Sequence, residues 1–425
     1  VALIVLLLVA IPYISAVTVA HSEALSPIDE WVYLDYVDKV PSQGIVHEGE
    51  FVGERAREVL ACVGVSPFGP VGPDCDGPLP AEEFPSGGLS TASPYTPIYF
   101  VLTRYLGDAI AFATGVDDVT GWRLTGVLWL VAALIVFVRL GRQWAVPSSA
   151  LVVMGMAFIA SPFAWWTYSY ISTDAPGFLV GALLLYLSVE LVRGRHTGWA
   201  IVGVGVLAVA FKVTNVLALG LVLLYLGVAA VRREGPALSR ESPWRRLIYP
   251  VIAIVAAVAL EVGWLQLTKL LAVSDLRGDQ GTITSPLTVE ELLLQVTNFL
   301  PGTITSSPIG PWVPGFVYAP LSWLCLAGVL AAVFTIRPGS RHTSLVVTTA
   351  VAAALAAPLL AIGLTVMSGT YFQLPPRYGA AILPAFLLLA ALSLRNRWAV
   401  GTVGAYSVAL LATGVWLSIH LATLA

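Results

Sequence analysis

Apolar residues in this chain fall in long unbroken runs rather than at amphipathic helix or strand intervals, and the runs are long enough to cross about 30 Å of hydrocarbon at roughly 20 residues each. They lie near residues 1 to 20, 121 to 138, 148 to 168, 175 to 192 and 247 to 269, then near 318 to 336, 343 to 367, 378 to 394 and 399 to 423. One further run, 198 to 231, is too long for one crossing and short for two, and Phe211-Lys212-Val213-Thr214-Asn215 interrupts its middle. Arg193 and Arg195 precede it, and Arg232, Arg233, Arg240, Arg245 and Arg246 follow it. Both ends therefore belong to the cytoplasm by the positive-inside rule, and the run is expected to be a hairpin of two short helices.

The pattern predicts an all-α polytopic membrane protein of about eleven transmembrane helices. The pairs Arg139 and Arg142, Arg337 and Arg341, and Arg395 and Arg397 then share one side, which puts the N-terminus in the cytoplasm and the C-terminus outside. Residues 1 to 425 read as a single transmembrane domain with two large extracytoplasmic loops, 21 to 120 and 270 to 317, and short outer turns at 169 to 174 and 368 to 377. The first run could be a signal peptide, but no basic segment precedes it and the sequence opens in mid-helix; it reads as a transmembrane anchor, with the native start expected upstream. Within the first loop, Ser93 to Thr114 carries aromatic and apolar residues at helical spacing, with Pro94 and Pro97 suited to a first turn, and is expected to lie on the membrane surface. No internal repeat stands out, which weakens an inverted-repeat transporter reading.

Composition agrees with this and excludes several classes. Of 425 residues, 57% are apolar and 11% charged, which a soluble domain of this size does not show. A net charge of -3 gives no electrostatic case for nucleic acid, and no Cys/His cluster suggests zinc. Cys62 and Cys75 share one polar loop and are a candidate disulfide if that loop faces an oxidising compartment, the alternative being two free thiols; Cys325 lies in an apolar run. Arginine far outnumbers lysine, which hints at a GC-rich bacterial genome and hence a bacterial plasma membrane.

Chemistry-bearing residues gather on the outer side. Asp29 and Glu30 follow the first span at the interface, where partial desolvation can raise a carboxylate towards a useful base; equally, acids suit the first turn of a helix. Asp174, in Ser172-Thr173-Asp174-Ala175-Pro176, stands at the mouth of a span as a functional acid or as a helix cap. Lys212 interrupts an apolar hairpin, an expensive position unless it serves a site or snorkels to the surface. Glu261 lies within a span and needs a partner or a water-filled cavity. Arg377 and Tyr378, after Pro375 and Pro376, offer either a guanidinium fork for a phosphate or an interfacial anchor.

In order and placement these positions resemble the GT-C superfamily of polyprenyl-phosphate-dependent glycosyltransferases, which includes the protein O-mannosyltransferases and the lipid A aminoarabinose transferases. The resemblance runs through most of the chain and rests on Ile28-Asp29-Glu30, Ser172-Thr173-Asp174-Ala175-Pro176, Ala210-Phe211-Lys212-Val213-Thr214-Asn215 and Pro376-Arg377-Tyr378. The acid pair before a long loop is also similar to a branch of predicted bacterial membrane proteins in which a histidine often follows; Trp31, Val32 and Tyr33 stand there instead. The resemblance implies a GT-C-like fold and an inverting transfer of sugar from a polyprenyl-phosphate donor to a hydroxyl of a glycan, lipid or protein acceptor. It implies Asp29 as general base, with Glu30 and Asp174 beside it in the catalytic set. Arg377 and Lys212, with Arg104 of the surface helix as a third, are the cations expected on the donor phosphate, and Glu261 and Tyr378 are further cavity residues. Some members bind a divalent metal and others need none; Asp29 with Asp174 would supply only part of a hard-metal shell, so no cofactor is assigned. Two other classes compete: a lipid or glycan transporter or flippase, which would use Lys212 and Glu261 without chemistry, and a non-catalytic assembly scaffold.

Overall fold

The computed structural model describes residues 1–20, 24–66, 68–235, 242–276, 284–307 and 313–422. Parts of the expected 270 to 317 loop, and Arg240 of the basic cluster, lie outside the described residues. The first crossing is α1 (Ala2–Ala20), and the long loop after it carries α2 (Glu30–Gln43), α3 (Glu54–Cys62) and α4 (Ile98–Thr114). The bundle continues with α5 (Asp118–Gln143), α6 (Ser148–Ile159), α7 (Pro162–Ser169), α8 (Ala175–Val192), α9 (Gly198–Phe211), α10 (Val216–Val231) and α11 (Ile248–Leu270). A strand β1 (Thr284–Ser285) and α12 (Val289–Thr303) precede α13 (Gly315–Thr335) and α14 (Thr343–Ser368). Strand β2 (Tyr371–Phe372), α15 (Leu383–Ser393) and α16 (Arg397–Ala422) complete the order.

The chain is an all-α polytopic membrane protein. Among the described residues, eight helices are long and apolar enough to cross a membrane, α6 and α7 reach that length only as a pair bent by 63°, and α9 and α15 are shorter apolar helices. The bend has a local cause: Ser161 accepts from Ala164 N and Pro162 opens α7, so the helix restarts on a new axis. The expected hairpin of short helices is present as α9 and α10. Two boundaries differ from the sequence expectation. The run expected over 378 to 394 begins as helix only at Leu383, because Pro375 and Pro376 set a 3-10 turn, Pro376–Gly379. The second loop holds a helix the run lengths did not predict: α12 is amphipathic, capped where Thr288 accepts from Glu291 N at 3.2 Å.

One end of the bundle gathers the basic turns. Gln143 donates to Glu190 at 2.6 Å, Arg193 to the Gln143 carbonyl at 2.8 Å and Ser344 to Glu234 at 2.7 Å, tying the ends of α5, α8, α10 and α14. At the other end the long first loop lies over the bundle. There Val273 N donates to the Glu48 carbonyl at 3.0 Å and Ser274 Oγ to the Gly49 carbonyl at 2.9 Å. Gly49 sits at φ 77°, and a Cβ there would strike Ser274, so the close approach needs glycine. Cys62 and Cys75 are joined as a disulfide in this loop. Thr284 pairs with Phe372 in the antiparallel β1–β2 ladder, which brings the second loop against the turn before α15.

Candidate active site

Four segments distant in sequence meet where the long loop covers the bundle. The Pro376–Gly379 turn is held from two sides. Gly177 and Gly181, one helical turn apart on α8, have no side chains in the way of Ala380 and Ala381, so the backbones touch. From the other side, Thr303 Oγ1 of α12 donates to the Pro376 carbonyl at 2.8 Å. This seats Arg377 beside the start of α8, where Asp174 lies. The break between α9 and α10 is also tied down: Asn215 donates to the Ala208 carbonyl at 2.9 Å and Thr96 of the loop to the Ala210 carbonyl at 2.5 Å. The Ala208 carbonyl also accepts the Lys212 backbone N–H at 3.2 Å, so the last turn of α9 is closed by main chain and side chains together. Lys212 is thereby fixed in an extended conformation at the outer turn of the hairpin.

Asp174 is the pivot of the resulting cluster. Its Oδ1 meets Lys212 Nζ at 2.6 Å and its Oδ2 meets Arg377 Nε at 3.3 Å, with its side chain only 5% exposed. Arg377 Nη2 reaches on to Asp29 Oδ2, also at 3.3 Å, while Asp29 is 39% exposed. The capping alternative fails for both acids: each stands at an N-cap position, and neither side chain makes a cap hydrogen bond. Asp29 has φ 60°, ψ -15°, a left-handed conformation that a non-glycine residue holds at a cost of about 1–3 kcal/mol. That backbone turns its carboxylate towards Arg377 instead of the helix end. Burial disfavours the Arg377 cation, but the charges of Asp174 and Asp29 outweigh it and leave the guanidinium even harder to deprotonate than usual.

Aromatic hydroxyls close the cluster. Tyr33 donates to Tyr95 at 3.1 Å, lies 3.3 Å from Thr173 Oγ1 and reaches Asp29 at 3.5 Å. Burial first, and then neighbouring charge, pushes the Tyr33 and Tyr95 phenols up, so both stay protonated and can donate. Tyr378 is pushed up to about 12, chiefly by burial and against the Arg377 charge. Its ring lies under both cations, 5.0 Å from Lys212 Nζ and 5.5 Å from Arg377 Cζ, and Trp166 adds a second face to Arg377 at 5.5 Å.

Two chambers flank these groups. One of 530 Å³ is lined by Asp29, Arg377, Trp31, Tyr33 and Gln373. The other, of 220 Å³, is lined by Lys212, Glu261, Thr96 and Thr214. Thr91, Tyr95, Phe372 and Tyr378 line both and form the wall between them. The smaller chamber also shares Val213 and Leu364 with an apolar groove of 350 Å³ between α10 and α14.

Lys212 and Asp29 thus face two adjoining chambers, and Asp174 lines neither. Two sequence expectations are relocated, those for Glu30 and Arg104. Glu30 does not face a chamber: it is fully buried and accepts from Arg123 Nε at 2.8 Å, Arg123 Nη2 at 2.9 Å, Ser26 N at 2.7 Å and Ile171 N at 2.8 Å. With every acceptor direction engaged, it joins the loop to α5 and to the turn before Asp174. Arg104 points elsewhere, pairing with Asp108 at 2.9 Å and stacking on Trp122 at 5.0 Å, so it lines neither chamber. Glu261 does line the small chamber, which provides the polar surroundings its position in a span demands. Among the described residues no group of three or more His, Cys, Asp or Glu is placed to hold a metal, and the Arg377 guanidinium occupies the position between Asp29 and Asp174 where a shared ion would sit.

Sequence reading missed Arg123, Tyr33, Tyr95 and Trp166. Arg123 carried a signal, a cation inside an apolar run with an acid available at the same end; the aromatics carried none apart from their number.

Two solved structures are similar to the chain: ArnT from Cupriavidus metallidurans bound to undecaprenyl phosphate, and the same protein in the apo state. Each is 15% identical, with a TM-score of 0.46, and the match covers 99% of this chain and 76% of that one. No protein-family model and no curated protein matches the chain.

Proposed function

We propose that the protein is a membrane glycosyltransferase that moves a sugar, with inversion, from a polyprenyl-phosphate donor to an acceptor hydroxyl on the extracytoplasmic face of a bacterial plasma membrane. The observation that carries this reading is the chain of contacts Lys212–Asp174–Arg377–Asp29, which ends in an accessible carboxylate in one chamber and begins at a cation whose chamber adjoins an apolar groove. A lipid phosphate needs both of those: an apolar channel for its chain and cations at the head. The disulfide in the covering loop supports an oxidising outer compartment.

In this reading the acceptor O–H gives its proton to the Asp29 carboxylate as its oxygen attacks the anomeric carbon. The bond from that carbon to the phosphate oxygen breaks, and the lipid phosphate leaves with the electron pair. Arg377 and Lys212 stabilise the charge gathering on the phosphate. The 3.3 Å contacts of Arg377 are longer than the 2.7–2.9 Å of tight charge-assisted bonds, so a phosphate can draw the guanidinium away from Asp29 and free the base. Asp174 then acts as a positioning residue for both cations.

Purified protein in lipid nanodiscs, offered a panel of polyprenyl-phosphate sugars, is expected to release lipid phosphate and transfer the sugar. Asp29→Asn should lower turnover by about 10²–10⁴-fold with donor binding retained. Full turnover in that variant would remove Asp29 as the base, and absence of transfer from every donor would remove the reading. Glu261, a carboxylate in the membrane chamber with no part in this chemistry, favours one alternative, a lipid transporter; that reading predicts lipid movement in sealed proteoliposomes without a new glycosidic bond.

A further inference from the structure

The apolar groove between α10 and α14 shares residues with the Lys212 chamber and none with the Asp29 chamber. The Asp29 chamber is therefore one step removed from the groove suited to a lipid chain, with the Lys212 chamber between them. Its 530 Å³ falls within the roughly 300–1,000 Å³ of small-molecule sites, too confined for a folded protein acceptor. Among the described residues the ladder near it, β1–β2, is two residues long on each strand, which leaves little edge for β-strand addition of a peptide.

What the chamber does present is ring faces beside uncommitted hydrogen-bonding groups. Trp31 and Phe372 are half-buried and line it together with the Tyr95 and Tyr378 rings. Among the described residues neither the Trp31 indole N–H nor the Gln373 amide has a hydrogen-bond partner, although both line the chamber. A sugar ring matches this combination. Its C–H face carries slight positive charge and stacks on the negative face of an aromatic ring, while its rim of hydroxyls takes a donor, an amide and a carboxylate. The loop over the chamber is stiffly shaped as well, with Ser86, Gly87 and Gly88 all at positive φ.

Resting on the glycosyl-transfer reading above, we propose that the Asp29 chamber is the acceptor site and that the acceptor is a saccharide, stacked on Trp31 and hydrogen-bonded by Gln373, with one hydroxyl delivered to Asp29. The size of the chamber and its remove from the groove favour a saccharide over a lipid chain or a folded protein surface.

The test measures binding to the full chain in nanodiscs without donor, by saturation-transfer NMR and calorimetry, using neutral di- and trisaccharides and a Ser/Thr-containing hexapeptide. Saccharide binding is expected, weakened about tenfold or more by Trp31→Ala and less by Gln373→Ala, whose site is exposed and whose fold is not at risk. Trp31→Phe should recover part of the loss. Peptide binding displaced by no saccharide, no saccharide binding at millimolar concentration, or saccharide binding indifferent to both Trp31→Ala and Gln373→Ala would each overturn the proposal. Release of lipid phosphate from donor into water is scored separately. If that release occurs and saccharides do not bind, only the acceptor assignment falls; if saccharides bind through Trp31 and no donor reacts, the transfer reading falls and the chamber remains a saccharide site.

Discussion

Asp174 is the buried acid that Lys212 and Arg377 share, so its replacement by Asn tests the cluster most directly. Lys212 is 4% exposed and its ammonium lies 2.6 Å from Asp174, whereas Arg377 keeps a second partner in Asp29. The loss therefore falls mainly on Lys212. Removing one member of a buried pair leaves an uncompensated charge and costs about 3–5 kcal/mol. Lys212→Met alone should cost less, because Asp174 still meets Arg377. In the double variant Asp174→Asn/Lys212→Met no buried charge is stranded, and most of the stability should return. The coupling between the two sites is expected to exceed about 1.5 kcal/mol. Unfolding of the four proteins in one lipid-detergent mixture gives the cycle, and donor binding measured alongside should stay weak in the double variant even where stability is regained. Additive losses, or a cost below about 1 kcal/mol for Asp174→Asn, would refute the pivot and leave Asp174 as an ordinary residue at the start of α8.

Three further outcomes are expected. Arg377→Lys should weaken donor binding about ten- to a hundredfold, since an ammonium cannot reproduce the planar fork that spans Asp174 and Asp29; unchanged donor affinity in a titration would assign the phosphate to other residues. Arg104→Ala should leave donor affinity unchanged and cost at most about 1 kcal/mol of stability, because its partners lie outside both chambers. In the covering loop, burial opposes ionisation of Glu50, but bonds from His47 N, Lys39 and Gln43 prevail and hold its folded pKa below the usual value. Glu50 thus stabilises the loop above the unfolded value of about 4.3, and that contribution disappears as pH falls through the lower folded value. Hydrogen exchange around Gly53 should report this acid loosening, and Glu50→Gln should abolish that component.

Long apolar runs and the one-sided arginines were sufficient to read the membrane class and the hairpin at Lys212, because crossing a bilayer imposes a length and charge rule on each segment separately, whereas the bend at Ser161 within the run 148 to 168 was not read. The same local character made the positions of Asp29, Asp174, Lys212 and Arg377 readable one at a time. Nothing local distinguishes Asp29 from Glu30, however. Their roles separate only because the left-handed backbone at Asp29 aims one carboxylate at Arg377, 348 residues away, while Glu30 starts the helix and meets Arg123, 93 residues away. Arg104 and Arg123 are likewise equivalent by type, and only packing sends both of them away from the chambers. The division into two chambers depends on Tyr95 of the loop and Tyr378 of a late turn sharing one wall. Contacts of that separation follow from how glycines on α8 let Ala380 and Ala381 approach and how Thr96 ties the loop to the hairpin break. The sequence by itself therefore determined the apolar segments, since each must satisfy the bilayer alone; tertiary structure decided which charged groups meet, since that depends on several segments packing at once.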